Sequence, residues 1–245
     1  MHELKAQQRL FWRSRELAFF TFLLPVILYF LLGSVYGDDK VDGVPGADYL
    51  LAGMLGYGAV STTFAGLAIL LVVRRELGIL KRLRATPLPA STYLAAVLAS
   101  IVFVFALETA LMISIGRLGF DTPLPERPFS LALVLLLGAV TFAALGVGLS
   151  GLVRSAEGAS AVVNAVYLPV SFISGAFFSP DSFPGFLQAI ASVLPLTYFI
   201  ELVRDVMLHG SEIWEEPTAV GVVTAWGAVG FVAAFRYFRW EPRER

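Results

Sequence analysis

Residues 128–153 read PFSLALVLLLGAVTFAALGVGLSGLV, a run without a single charged side chain. In a helix rising about 1.5 Å per residue, such a run covers the ~30 Å hydrocarbon core of a bilayer. Further charge-poor stretches occupy residues 17–37, 50–73, 92–116, 159–179 and 217–236. Together with 129–153 they predict an all-α integral membrane protein with six transmembrane helices, built as one domain over 1–245. Composition agrees: 57% of the 245 residues are hydrophobic and 15% charged, with a mean hydropathy of +0.76. Soluble domains run at roughly 45–50% apolar and about 25% charged. A soluble globule is excluded, and the spans leave no room for a separate soluble domain. Polar and basic residues precede Leu17, and no Ala-x-Ala site follows the full-length apolar run, so the first helix is expected to be retained rather than cleaved.

Charge placement sets the orientation. With spans alternating in direction, all but Lys40, Arg117, Arg127 and Arg204 of the 18 Lys and Arg fall on one side, Arg74, Arg75, Lys81, Arg82, Arg84, Arg154, Arg236 and Arg243 among them. Asp38, Asp39, Asp42, Glu212, Glu215 and Glu216 fall on the other. The positive-inside rule then makes both termini cytoplasmic. The uncharged run Ser182–Ile200 invites a seventh span, but Pro184 and Pro195 divide it, and the piece that follows carries Glu201, Arg204 and Asp205. Neither piece is long enough to cross. Broken helices at membrane depth are tolerated where they are buried in protein or line a cavity, so residues 181–209 are predicted to form an outer re-entrant helical hairpin between spans five and six. Residues 1–16 mix Leu4, Leu10, Phe11 and Trp12 with Lys5, Arg9, Arg13 and Arg15, the pattern of a helix lying along the inner interface, or of a polar lead-in.

Several chemistries are missing. There is no cysteine, hence no disulfide, thiolate or cysteine metal site. The lysines Lys5, Lys40 and Lys81 follow Leu4, Asp39 and Leu80, so no Gly-Lys-Ser/Thr phosphate loop exists and the chain is not itself a P-loop ATPase. His2 and His209 fall on opposite sides of the membrane, leaving no histidine pair for a metal or haem. No metal site and no nucleic-acid partner are expected. Gly148-Leu149-Ser150-Gly151 imitates the Gly-x-Ser-Gly nucleophile motif of rhomboid proteases, but Ser150 stands near the inner end of span four, beside Arg154, while His209 belongs to the outer side. Gly146, Gly148, Ser150 and Gly151 read instead as small residues that let helices approach closely.

The inner segment 74–91 reads RRELGILKRLRATPLPAS. Leu77, Leu80 and Leu83 alternate with basic residues, and Pro87 stops the helix, giving a short amphipathic helix between spans two and three. On these residues alone it is either a functional surface or a positive loop that fixes topology. The pattern Glu76-x-Gly78-x-Leu80-x-x-Leu83-Arg84-x-Thr86-Pro87 resembles the coupling helix of the ABC-2 type permeases, the membrane halves of a class of ABC exporters that includes drug, lipid and natural-product permeases of the daunorubicin-resistance type. A second match runs Pro169-x-x-Phe172-x-Ser174-Gly175-x-Phe177-x-x-Pro180, Phe183-Pro184 and Leu194-Pro195-Leu196-Thr197-Tyr198 with Arg204 beyond, similar to that family's fifth span and outer hairpin. Leu23-Leu24-Pro25 is a weaker third. The early third span departs from the pattern, with Ala95 and Ala96 where the family carries a lysine.

The resemblance implies a permease that pairs with a second membrane subunit, identical or homologous, above two separate P-loop ATP-binding subunits. ATP and Mg would be bound by those partners, with no cofactor on this chain. Glu76, Gly78, Leu80, Leu83 and Arg84 would contact the ATPase, and the N-terminal helix would act as a connecting helix. It further implies a bacterial or archaeal cytoplasmic membrane.

Two helix faces compete as a cargo path. Ser160, Asn164, Tyr167, Ser171, Ser174 and Phe178 share one face of span five, and Ala52, Gly56, Ala59, Thr63 and Gly66 one face of span two. One of them packs. Since spans two and five border the central cavity in the resembling family, Tyr57, Phe64, Asn164, Tyr167, Ser171 and Phe172 are assigned to the path, against the alternative that these small residues serve packing only. Glu108 is the ionisable residue well inside a span, a functional candidate by its cost alone, and a structural role is favoured because no second buried charge continues a relay. The cargo implied is hydrophobic or amphipathic and moves outward. The competing function class is an ATP-independent membrane protein, an enzyme or a scaffold, which lacks a coupling-type loop.

Overall fold

The Gly-rich face of the fourth span and the divided run after Pro184 set how the apolar stretches fold and pack. The structure, a computed structural model, describes residues 2–36, 39–86 and 89–241. The predicted helix stop at Pro87 and the charges of Asp38 and Arg243 lie outside the described residues.

Helix α1 (His2–Arg13) is followed after Ser14 by α2 (Arg15–Tyr36), the first span, which carries Pro25 without a break. A two-stranded hairpin, β1 (Lys40–Val41) and β2 (Val44–Pro45), leads into the second span. That span is one continuous helix in three parts: α3 (Gly46–Gly58), a π-type segment Ala59–Gly66, and α4 (Leu67–Glu76). The short α5 (Ile79–Arg84) follows, then the third span α6 (Ala90–Phe120), the fourth α7 (Pro128–Leu152) and the fifth α8 (Ala156–Ile173). Helices α9 (Gly185–Ala191) and α10 (Pro195–Leu208) precede the last span, α11 (Pro217–Tyr237). Among the described residues six helices are long and apolar enough to cross a membrane.

The chain after Pro184 forms two helices bent by 79° at the Ser192–Leu194 break, where Pro195, at the first turn of α10, cannot continue the preceding helix. Helix α10 is amphipathic: Leu196, Phe199, Ile200 and Val203 are buried, and Glu201 between them faces outward. The fifth helix is shorter than its apolar run. It ends at Ile173, because Gly175 takes φ 89°, so Ser174 and Phe178 do not continue the face of Ser160, Asn164 and Tyr167.

The core forms around α7 and the second span. Leu51, Met54, Leu55, Phe142, Phe199 and Ile200 belong to one buried cluster. Glycines set the closest approaches: a Cβ on Gly146 would stand 2.6 Å from the Phe64 carbonyl oxygen, and one on Gly53 would collide with the backbone of Ala176. The small residues of α7 therefore pack, as their spacing predicts. The same holds for the small face of the second span, where Ala52, Ala59 and Thr63 are buried and a Cβ on Gly56 would overlap Ile200.

Candidate functional site

At the end of the second span, α4 closes with a glycine turn. The Gly78 amide donates to the Arg75 carbonyl at 3.0 Å, and Gly78 adopts φ 67°, which reverses the chain into α5. Leucine spacing then fastens α5 to the spans. Leu80 is wholly buried in a cluster with Leu67, Leu71, Tyr93, Val97, Ala143 and Val147, and Leu83 packs partly against it. The open face carries Leu77, 62% exposed, with Lys81, Arg82 and Arg84. Of the residues singled out in this segment, Arg84 is therefore exposed and Glu76 and Gly78 are half-buried. Leu80 points into the bundle and anchors the helix; on a helix only six residues long the leucine face and the basic face cannot both look outward.

Arg75 is the residue whose position sequence reasoning missed. It is 2% exposed, and its guanidinium donates from Nη1 to the Ser150 carbonyl at 2.9 Å and from Nη2 to the Val153 carbonyl at 2.7 Å. Those carbonyls belong to the C-terminal turn of α7, where helix geometry leaves acceptors without intrahelical donors and the dipole favours a cation. Glu76 stands 3.6 Å from Arg75 Nε. The 74–84 segment is thus tied to span four by Arg75 and seated by Leu80. The Ser150 hydroxyl donates to the Val147 carbonyl at 2.6 Å, a helix back-bond rather than a nucleophile's arrangement.

Above this segment a cavity of about 650 Å³ lies among α1, α2, the second span, α6 and α8. Tyr57, Asn164 and Tyr167 line it, with Ser61, Thr62, Gln7, Ser100 and Arg74, and the Tyr57 and Tyr167 ring centroids are 6.2 Å apart. Helix α1 closes one side of it, held by Gln8 Nε2 donating to the Ser100 carbonyl at 3.0 Å and to its hydroxyl at 2.9 Å. Phe64, Ser171 and Phe172 are not among the residues lining it. Phe64 lies against α7 at Gly146, the buried Ser171 hydroxyl donates to the Tyr167 carbonyl at 2.8 Å, and the exposed Phe172 stacks on Phe177 at 4.7 Å. Packing accounts for the first two: a ring on the α7 side of the second span and a hydroxyl turned back on its own helix cannot face the cavity.

Glu108 is 1% exposed and lies beside the π-type segment. Its Oε2 accepts from the Thr62 hydroxyl at 2.7 Å, and a Cβ on Gly58 would stand 2.8 Å from Oε1. Thr62 also lines the cavity, so Glu108 fixes one of its walls from behind.

Against known proteins, residues 3–208 match the family described as ABC-2 type transporter. This chain belongs to the ABC-2 type transporter family. It is 24% identical over 211 residues to a Bacillus subtilis protein named Putative transport permease YvfS, covering 86% of each chain. It is 28% identical over 159 residues to Probable multidrug ABC transporter permease YbhS of Escherichia coli, 62% of this chain and 41% of that one. Linearmycin resistance permease protein LnrN of Bacillus subtilis is 23% identical over 113 residues, 46% of this chain and 29% of that one. The ABC-2 type chain therefore spans most of one relative and well under half of the other two. Membership makes it the membrane subunit of an ABC transporter, a transport component that associates with ATP-binding subunits.

Proposed function

We propose that this chain is the permease of an ATP-driven exporter, paired with a second membrane subunit and docked on two P-loop ATP-binding subunits that hold ATP and Mg. Both termini and the 74–86 segment face the cytoplasm, in a bacterial or archaeal membrane. The observation that carries this reading is the construction of that segment: Lys81, Arg82 and Arg84 form an open face on α5, with exposed Leu77 in the turn before it, while Leu80 seats α5 on spans two, three and four and Arg75, at the end of span two, ties that end to span four. A push on the open face reaches these spans without passing through a flexible link. The positive-inside rule supports the orientation. The bent α9–α10 pair then lies on the outer side as a re-entrant hairpin.

The cavity walls are mainly apolar in area but also carry hydroxyls, Gln7, Asn164 and the Arg74 guanidinium, a mixture that suits an amphipathic cargo such as a drug, lipid or natural product. The names of the multidrug and linearmycin relatives support the same cargo class. Residues Ser160 and Asn164 of α8 are exposed, so a second membrane subunit facing them would complete the path. Charge reversal at Arg82 and Arg84 tests the reading without touching the core. The double variant R82E/R84E should keep the parent's melting temperature, co-purify poorly with the ATP-binding subunit and lose the permease's effect on its ATPase rate. Unchanged co-purification and rate would count against the contact.

A further inference from the structure

Tyr57, Ser61, Ala65 and Ile69 of the second span all line the cavity of about 650 Å³, each four residues after the last. Val60, Phe64, Ala68 and Val72, at the same spacing, are buried and take no part in its lining. An ordinary helix does not keep such strips straight. At 3.6 residues per turn a step of four overshoots a full turn by about 40°, so the three steps from Tyr57 to Ile69 would carry the strip about 120° round the axis. The π-type segment Ala59–Gly66 takes up the difference. Its i→i+5 turns hold about one residue more than an α-turn, so a four-residue step within it falls short of a full turn and cancels the overshoot. Tyr57 of α3 and Ile69 of α4 thereby face one cavity.

Wide turns give up the i→i+4 ladder and persist where side chains support them. The Thr63 hydroxyl donates to the Ala59 carbonyl at 2.6 Å and the Ser61 hydroxyl to the Gly58 carbonyl at 3.3 Å, bonds that Ser and Thr form in ordinary helices too. The Thr62 hydroxyl does something else: it crosses to α6 and donates to Glu108 Oε2 at 2.7 Å. The same carboxyl meets the backbone where the wide turns begin, since a Cβ on Gly58 would stand 2.8 Å from Oε1. Glu108 is 1% exposed, so its position is fixed by packing on all sides. It therefore touches the second span at Gly58 and at Thr62, and a return to α-helical turns between them would swing the Thr62 hydroxyl round the axis and off Oε2.

We propose that the π-type segment sets the register of the cargo path, with Thr62 and Glu108 as the positioning residues that hold it. Their hydrogen bond keeps Tyr57, Ser61 and Ile69 on one wall. The inference deepens the permease reading and rests on it for the cavity's role as the path; neither Glu108 oxygen touches cargo. Without the bond the ladder returns to i→i+4, and the part of the span below the segment turns against the part above it. Ile69 then leaves the wall and Ala68 enters it.

The chain's lack of cysteine gives the test. Ile69→Cys, on the wall, and Ala68→Cys, at a position 0% exposed, are labelled separately with a small water-soluble methanethiosulfonate in full-length protein in lipid nanodiscs. In the parent background Ile69→Cys should label faster than Ala68→Cys. Thr62→Val keeps the shape of the side chain and removes the donor; it should slow labelling at Ile69→Cys and speed it at Ala68→Cys by about fivefold each, the shift that one lost hydrogen bond supports. Thr62→Ser keeps a donor and Glu108→Gln an acceptor, and both should show the parental pattern. A folded Thr62→Val protein with parental labelling at both positions overturns the proposal. Faster labelling at both positions overturns it as well, because the bond would then serve stability alone. If Thr62→Val does not fold, a variant lacking Thr62 decides: with one residue fewer, an α-helix keeps the strip aligned and Ile69→Cys should still label, whereas an ordinary helix would lose it about 100° round the axis. Neither cargo nor an ATP-binding subunit takes part, so failure here leaves the exporter reading standing, and failure of ATPase docking leaves the labelling pattern readable.

Discussion

Replacing Arg75 with Met removes the guanidinium while keeping an unbranched apolar stem, and so takes away the two hydrogen bonds that join the 74–84 segment to span four together with the contact to Glu76. Hydrogen bonds to charged groups are worth about 1.5–3 kcal/mol each, so the 2.9 and 2.7 Å contacts to Ser150 and Val153 together stand for at least about 3 kcal/mol. The freed carbonyls end a helix at the membrane surface and regain part of that from water, leaving a net loss of about 2 kcal/mol. For a chain of this size each kcal/mol moves the melting temperature by roughly 2–4 °C, so Arg75→Met should melt about 4–8 °C below the parent in nanodiscs. Arg75→Lys keeps a cation at the helix end but loses the planar fork, and should fall between them. The assay is thermal unfolding of each variant in identical nanodiscs, paired with the ATPase rate of the assembled transporter. The Met variant should lose the permease's effect on that rate while still binding the ATP-binding subunit, because the outer face of α5 is untouched. A Met variant that melts with the parent and retains normal coupling would refute the claim that Arg75 fastens the segment to span four.

Glu108→Gln preserves an acceptor for Thr62, and it should leave both melting temperature and coupled ATPase rate at parental levels; a lost rate at normal stability would show that the carboxyl itself takes part in transport. Gly53→Val puts a branched side chain into the backbone of Ala176, so the variant should fail to give a monodisperse peak on size exclusion, and a normal peak would contradict that packing. Gly78→Ala forces a Cβ into the left-handed region at a cost of about 1–2 kcal/mol, and Gly78→Asn, which tolerates that region better, should recover most of the lost stability in the same melting assay.

Hydropathy carried the six spans because bilayer crossing depends on length and apolarity, which are local properties. The same is true of the proline-divided run, which folds as two short helices rather than a seventh straight span. Tertiary direction was less legible. Leu80 and Arg75 both sit in a segment that reads as basic and amphipathic, yet one is buried by the spans above it and the other by acceptors on a helix 75 residues further along. No periodicity within residues 74–91 encodes where the end of α7 falls. The cavity reading divided for a similar reason: Tyr57, Asn164 and Tyr167 line it, while Phe64, Ser171 and Phe172 do not, because Phe64 packs on α7 at Gly146, the Ser171 hydroxyl turns back on the Tyr167 carbonyl and Phe172 stacks on Phe177, contacts that spacing along one helix does not encode. Ser174 and Phe178 leave the face because the helix ends at Ile173, before Gly175. The π-type segment beside Glu108 has no sequence signature that separates it from an ordinary helix.

The most direct measurement places a cysteine at Leu77, an exposed large apolar side chain of the 74–86 segment, in a chain that otherwise has none. Native membranes carrying Leu77→Cys are treated with a thiol-to-amine cross-linker, and the captured partner is identified by mass spectrometry. Capture of a P-loop ATPase, suppressed by R82E/R84E in the same chain, is the predicted result. A thiol that labels freely with a small maleimide yet captures no ATPase would contradict the assignment of this face as the site where ATP hydrolysis is coupled to transport.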